Sequence, residues 1–295
     1  MEPKEVLKRV RQIEIKTRRI VDSFLASRYR SVFRGRGIEF ADVREYQYGD
    51  DVRYIDWKVT ARFAKPYVKR FVEERDLLVV ALVDVSASCD FGTGAATMRE
   101  RGIEVAATLA YSAFRQGDRF ALLLAHDGVE RFLPPAKGRA QVYRVIRELL
   151  LTRPASSRTR LGPALEFLNR VLKERAIVFV ISDFFDSALE ELVREMRRLS
   201  SRGCDVVAVK LSDERNYILP DAGLVEVLDP ESGERLVVNT SREELRKAYF
   251  TEALEHRLRL EGMLSSAGVE LIEIDSSQEV LKPLLRFFAL RGRRR

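Results

Sequence analysis

The stretch LLVVALVDVSAS, Leu77 to Ser88, limits the fold of this chain more than any other. Seven apolar residues, Leu77 to Val83, stop abruptly at Asp84, with Ser86 and Ser88 at alternate positions beyond it. A run of this length, rich in Val and Leu and bounded by polar residues, is the pattern of a strand buried on both faces. A carboxylate at the end of such a strand is costly to bury unless a cation or hydrogen bonds compensate it. An Asp followed by two hydroxyls offers hard oxygen ligands of the kind that Mg²⁺, Mn²⁺ or Ca²⁺ takes.

A second run of the same type, Ala176 to Ile181 (AIVFVI), ends in Ser182-Asp183. Between and after these runs, strands alternate with helical patterns. Thr97 and Glu100 form a capping box ahead of a helix that stops at Gly117. A hairpin turns through His126-Asp127-Gly128, and a helix spans about 138–152. Gly162 and Pro163 open the helix after Thr159, and Ser187 with Glu190, Ser241 with Glu244 and Ser276 with Glu279 are expected to cap three later ones. Asp205 to Leu211 and Val269 to Ile274 read as further strands, and Leu224 to Val238 as a hairpin turning through Asp229-Pro230-Glu231-Ser232-Gly233. This alternation predicts an α/β fold with a doubly wound, mostly parallel, Rossmann-type sheet over residues 77–295, with the hairpin near 224–238 as an insertion.

Residues 1–76 have a different rhythm. Val6, Val10, Ile13, Ile20 and Phe24 place an amphipathic helix over residues 3 to 27. From 28 to 76, glycines punctuate short stretches in which aromatic and β-branched residues alternate with charges, the pattern of a small β-rich appendage. Within it Asp50, Asp51, Arg53 and Asp56 cluster with Tyr54 and the single tryptophan, Trp57, as either a binding surface or an ion-pair network.

Composition removes several functions. A hydrophobic content of 46% supports a packed core. The charged N-terminus has the pattern of neither a signal peptide nor a membrane span, so neither is expected and a cytoplasmic location is. Cys89 and Cys204 lack metal-ligand spacing and are expected to stay reduced, while His126 and His256 lie too far apart in sequence for a His-based zinc site. The net charge of +7 invites a nucleic-acid reading, but acidic residues are interspersed and the one dense basic cluster is Arg291, Arg293, Arg294 and Arg295.

In open α/β sheets ligands gather beyond the carboxyl ends of strands. Asp84 and Asp183 each end an apolar strand, and the loop holding Thr159 enters its helix from the same side. Asp84, Ser86, Ser88, Thr159 and Asp183 therefore form a candidate oxygen-only ligand set. The structural alternative is that the serines cap the following turn and Asp84 accepts backbone N–H bonds.

The motifs DVSAS, Thr159 ahead of Leu161-Gly162-Pro163-Ala164-Leu165, and Ile181-Ser182-Asp183 resemble the metal-ion-dependent adhesion site of von Willebrand factor A domains. The upstream segment FRGRGIEFADVREYQYGDDVRYIDW, with Pro66 to Phe71 after it, resembles the bacterial domain-of-unknown-function 58 family, which joins such a segment to a von Willebrand A-like domain. The resemblance implies that Asp84, Ser86, Ser88 and Thr159 contact a divalent cation, Mg²⁺ first with Mn²⁺ or Ca²⁺ as alternatives, and that Asp183 acts through a water. Two departures stand out. Arg158 adds a positive charge in a loop where related domains carry glycines, and Cys89 stands where the family commonly has Met.

The resemblance further implies a non-enzymatic interaction module. Its metal would accept a carboxylate from a partner protein, and it would work as an adaptor with a MoxR-type AAA+ ATPase in chaperone-like assembly or activation of other proteins. The alternative is a metal-dependent phosphohydrolase, against which stands Ser86 where a haloacid-dehalogenase-type site would carry a second Asp. No Walker A sequence, nucleophile elbow or Cys–His pair is present.

Overall fold

Strands β3 (Leu78–Asp84) and β6 (Ile177–Ser182) run parallel and adjacent, with Val83 opposite Ile181. The computed structural model that shows this describes residues 3–21, 39–63, 65–72 and 76–293. The remaining strands of their sheet are β4 (Arg119–Ala125), β5 (Val129–Ala136), β7 (Asp205–Ser212) and β10 (Glu270–Asp275). The six are ordered β10-β7-β6-β3-β4-β5, and every pair is parallel except β4–β5. Every residue of β3 and of β6 is buried, as their unbroken apolar composition requires.

Helices cover both faces. On one side lies α3 (Met98–Gln116), opened by the Thr97–Glu100 capping box and ended by Gly117 in the left-handed conformation (φ 78°). It approaches the sheet at Gly102, where an added Cβ would lie 3.2 Å from Leu211 Cδ1. Helices α1 (Pro3–Ile20) and α4 (Arg139–Leu151) pack with it. Arg139 clamps the buried Glu14 of α1, with Nη2 2.6 Å from the carboxylate. On the other side, Leu78, Val80, Leu82, Val178 and Val180 meet Leu165 and Leu168 of α5 (Gly162–Val171) and Leu192 and Met196 of α6 (Leu189–Ser201). Burial of each such side chain stabilises the fold by roughly 1.5–3 kcal/mol.

A separate antiparallel ribbon, β8 (Leu224–Leu228) with β9 (Arg235–Asn239), precedes the long α7 (Glu243–Ser266), and α8 (Leu281–Arg293) closes the chain's described part. Among the described residues no helix is long and apolar enough to cross a membrane.

Three expected caps do not form. The N-caps of α6 and α7 are Ala188 and Arg242, without side-chain bonds, and α8 starts only at Leu281. Ser187, Ser241 and Ser276 spend their hydroxyls on tertiary partners instead: Thr159 O, Asp221 Oδ1 and Asp213 Oδ2. These serines serve the fold through long-range bonds, which a capping pattern cannot reveal.

Contacts group α1 with the sheet, although the sequence joins it to the segment that follows. That segment forms a unit by itself. In it β1 (Glu39–Glu45) pairs antiparallel with β2 (Tyr67–Val72), and the short helix α2 (Trp57–Phe63) stands where only strands and turns were expected. Asp56 explains the helix, since its Oδ1 accepts from Lys58 N (3.0 Å) and Val59 N (3.2 Å). Part of the acidic cluster is ion-paired, while Tyr54 and Trp57 are exposed. Arg44 holds Asp50 through two 2.8 Å bonds, and Arg53 pairs with Asp51. The expected helix beyond residue 21 and the start of the upstream motif, Phe33 to Ile38, lie outside the described residues.

Candidate metal centre

The centre of the parallel sheet supplies the site's two carboxylates. Sheet order reverses at β3, whose neighbours are β4 on one side and β6 on the other. Asp84 is the last residue of β3 and Asp183 follows β6 directly, so both emerge at that crevice. They are 2% and 0% exposed.

The backbone after each strand is shaped around these acids. Asp84 Oδ1 accepts from Ser86 N (2.9 Å) and Ser86 Oγ (2.6 Å), and Ser86 Oγ lies 3.1 Å from Ser88 Oγ. Asp84 Oδ2 accepts from Ser182 Oγ at 2.6 Å. Arg99 of α3 donates to Val85 O (2.9 Å) and Ser86 O (3.1 Å), which pins the loop that carries the serines. After β6, Phe184 adopts φ 60°, a left-handed conformation that L-residues avoid by roughly 1–2 kcal/mol. Its ring is fully buried and its N–H donates to Ser182 Oγ (3.0 Å), so packing holds the strained turn. Phe185 N then donates to Asp183 Oδ1 at 3.1 Å.

Thr159, 1% exposed, reaches this place on the loop before α5. Ser157 O accepts from Ala87 N (3.0 Å) and Thr159 O accepts from Ser187 Oγ (3.2 Å), so the loop is stitched to the segments after both β3 and β6. Asp186, also near this junction, accepts from Leu161 N at the start of α5 (2.7 Å). Arg158 is exposed, and its N–H donates to Ser156 Oγ (3.2 Å).

The electrostatics are those of a buried acidic pair. Burial first, then the charge of Asp183, raises the Asp84 carboxyl to about 7, although hydrogen bonds from Ser182 and Ser86 work the other way. Burial raises Asp183 as well, against the Ser88 hydroxyl and the Phe185 N–H, and the Glu231 carboxylate adds to the rise. Asp183 Oδ2 is buried with no hydrogen-bond partner, and among the described residues no ion pair reaches either carboxylate. Lys210, buried on β7 opposite Ser182, gives its ammonium to the Tyr217 hydroxyl (2.8 Å).

This donor set fits a hard divalent cation. Two carboxylates and the hydroxyls of Ser86, Ser88 and Thr159 offer oxygen donors, and among the described residues no ion pair reaches the orphaned Asp183 oxygen. Cys89 is the odd member, with its sulfur and one oxygen from each aspartate all within 4.8 Å of one another. Burial and the neighbouring acids push its thiol well above its ordinary value, so it stays a neutral, soft group that a hard cation does not select. Neither histidine joins the cluster: His126 bonds Asp127 and Glu130, and His256 stacks on Phe185. Both cysteines are free and buried.

Four of the five residues proposed from sequence thus sit at the joined ends of β3 and β6, with Thr159 on the loop tied to both. Sequence reasoning passed over three others. Ser182 was visible beside Asp183 but has its role only because β6 neighbours β3. Arg99 carries no motif. Glu231, at the β8–β9 turn, accepts from Thr159 Oγ1 and from Thr159 N (3.3 Å), which no local pattern signals.

Known proteins resemble the chain over most of its length. An uncharacterized protein of Mycobacterium tuberculosis is 31% identical over 287 residues, 96% of this chain and 89% of the relative. An uncharacterized protein of Mycobacterium avium is 26% identical over 163 residues, 55% of this chain and 94% of that protein. Among solved structures, the conserved hypothetical protein BatB of Bacteroides thetaiotaomicron overlaps 74% of this chain and 99% of its own, with 13% identity and a TM-score of 0.49. An aerotolerance-related membrane protein of Bacteroides fragilis gives 15% identity and the same TM-score over 74% and 100%. With residues 42–259 matched by the family's sequence profile, the chain belongs to the family described as "Protein of unknown function DUF58".

Proposed function

We propose that the ends of β3 and β6 form a cation-dependent docking point for another protein, within a von Willebrand A-like domain. The observation that carries this reading is the pair of buried carboxylates with an orphaned oxygen on Asp183. Asp84, Ser86, Ser88 and Thr159 would hold the ion, Mg²⁺ first, with Asp183 beside it. A cation bound there offers an acceptor position to a carboxylate from outside. Ser182 and Arg99 keep the two strand-end loops in place, and Phe184 aims Asp183. The set offers no second Asp two residues after Asp84, so recognition is favoured over hydrolysis. The partner implied by the family resemblance is a MoxR-type AAA+ ATPase, with this chain as the adaptor.

Isothermal titration with Mn²⁺ and Mg²⁺ tests the site. Wild type is expected to bind and Asp84→Ala to lose binding; absence of heat from the wild type removes the proposal. Retention of an AAA+ ATPase on the immobilised full chain, lost on adding chelator, is the expected partner result.

A further inference from the structure

The tip of the β8–β9 ribbon reaches the Thr159 loop of the candidate centre. Glu231 is half-buried there, and its carboxylate accepts hydrogen bonds from both the hydroxyl and the N–H of Thr159. Its carbonyl accepts from Ser157 Oγ (2.8 Å), on the same loop. Two acids already occupy this neighbourhood, so a third is electrostatically adverse unless something positive sits among them.

The turn itself is built to present that side chain. Asp229 accepts from Glu231 N (2.9 Å) and Ser232 Oγ (2.5 Å), and Gly233 takes φ 74° to close the loop. The ribbon behind the turn has little else to hold it. Leu224, Leu228, Leu236 and Val237 are 74%, 53%, 66% and 65% exposed, and only the paired Val225 and Val238 are half-buried. At its base Thr240 N donates to Gly223 O (2.7 Å) and Thr240 Oγ1 accepts from Ala222 N (3.0 Å). A two-stranded ribbon with so little burial is marginally stable by itself. It is bonded at its base through Thr240 and at its tip through Glu231.

We infer that Glu231 is an internal ligand of the centre, holding the place that a partner's acidic side chain takes, so that the β8–β9 tip must leave before a partner docks. The external ligand is then of the same chemistry: a single Glu or Asp presented on a tight turn. This inference rests on the cation-docking reading above. An internal competitor tethered nearby acts at high effective concentration, so it suppresses weak external carboxylates and admits only a partner that binds better.

The test compares wild type, Glu231→Gln and Ser157→Ala, each loaded with Mn²⁺, by water-proton relaxation with acetate as the probe. Glu231→Gln is expected to gain exchangeable water on the bound ion and to bind acetate roughly tenfold more tightly than wild type. Ser157→Ala, which loosens the tip without touching a ligand oxygen, is expected to shift in the same direction by less. Equal relaxation and equal acetate response in all three, with Mn²⁺ bound, overturns the inference and leaves the docking reading standing. Failure of all three to bind Mn²⁺ overturns both.

Discussion

Asp213 and Asp183 are both strand-end aspartates with no exposed surface, at the ends of adjacent strands, yet they answer burial in opposite ways. Burial works to raise Asp213, but donors surround it: Thr93 N and Oγ1 (2.8 Å each), Arg215 N (3.0 Å) and the Ser276 hydroxyl. Together they leave its carboxyl below the ordinary value. Asp183 has the Phe185 N–H on one oxygen, no partner on the other, and Asp84 beside it; the Ser88 hydroxyl and the Phe185 N–H do not offset burial, and its carboxyl is raised. Burial alone therefore says nothing about function. The supply of donors separates a structural staple from a site that lacks a positive partner.

The largest expected effect is at Asp213. Asp213→Ala strands four donors, three of which tie β7 to the loops before α3 and after β10. It should cost about 3 kcal/mol or more in chemical denaturation, by the same amount with Mn²⁺ or with chelator. A variant that stays as stable as wild type, or that remains folded but loses Mn²⁺ binding, would erase the distinction between the two acids.

Asp183→Asn should do the reverse. The raised carboxyls of Asp84 and Asp183 hold protons in the folded state that the unfolded chain has already released. Cation-free stability of the wild type should therefore fall as pH rises from about 4 towards 7. For Asp213 the sign is opposite: its contribution is present above the unfolded value and is lost as pH falls through the lower folded one. Removing one charge of the pair should stabilise the cation-free protein at pH 7.5 by roughly 1 kcal/mol. With Mn²⁺ at a hundred times its dissociation constant, wild type should gain about 2.7 kcal/mol and Asp183→Asn far less, so the order of stabilities inverts. Urea titrations with chelator and with Mn²⁺ read both halves; no inversion would show that the pair is not a cation site.

The same contrast explains what could be read from the sequence. Asp84 and Asp183 follow unbroken apolar runs, and that pattern carries both the strand and the position of the acid at its end. The mostly parallel sheet followed from the same alternation, and the Thr97–Glu100 cap from local spacing. Asp213 also follows an apolar strand, and nothing local says that Thr93 and Ser276, 120 and 63 residues away, would satisfy it. Glu231 illustrates the same limit. Its turn was legible from Asp229-Pro230 and Gly233, while the direction in which the tip points depends on a loop 72 residues earlier. Ser187, Ser241 and Ser276 fit a capping pattern, but tertiary acceptors outcompete the helix ends. Local spacing fixes what a residue can do, and the packing of distant segments selects among those options.

The smallest expected effect belongs to Arg158. Its charge sits one residue before Thr159, where the sequence suggests a cation repelling a cation. The side chain is exposed to solvent, however, and water and salt screen an exposed charge strongly. Arg158→Ala should tighten Mn²⁺ binding by no more than about threefold at physiological ionic strength, and the gain should shrink as salt is added. A change of tenfold or more, insensitive to salt, would mean that the guanidinium reaches the buried acids directly. In that case Asp183 would have a positive partner within the chain, and its contrast with Asp213 would rest on the cation's identity rather than on its absence.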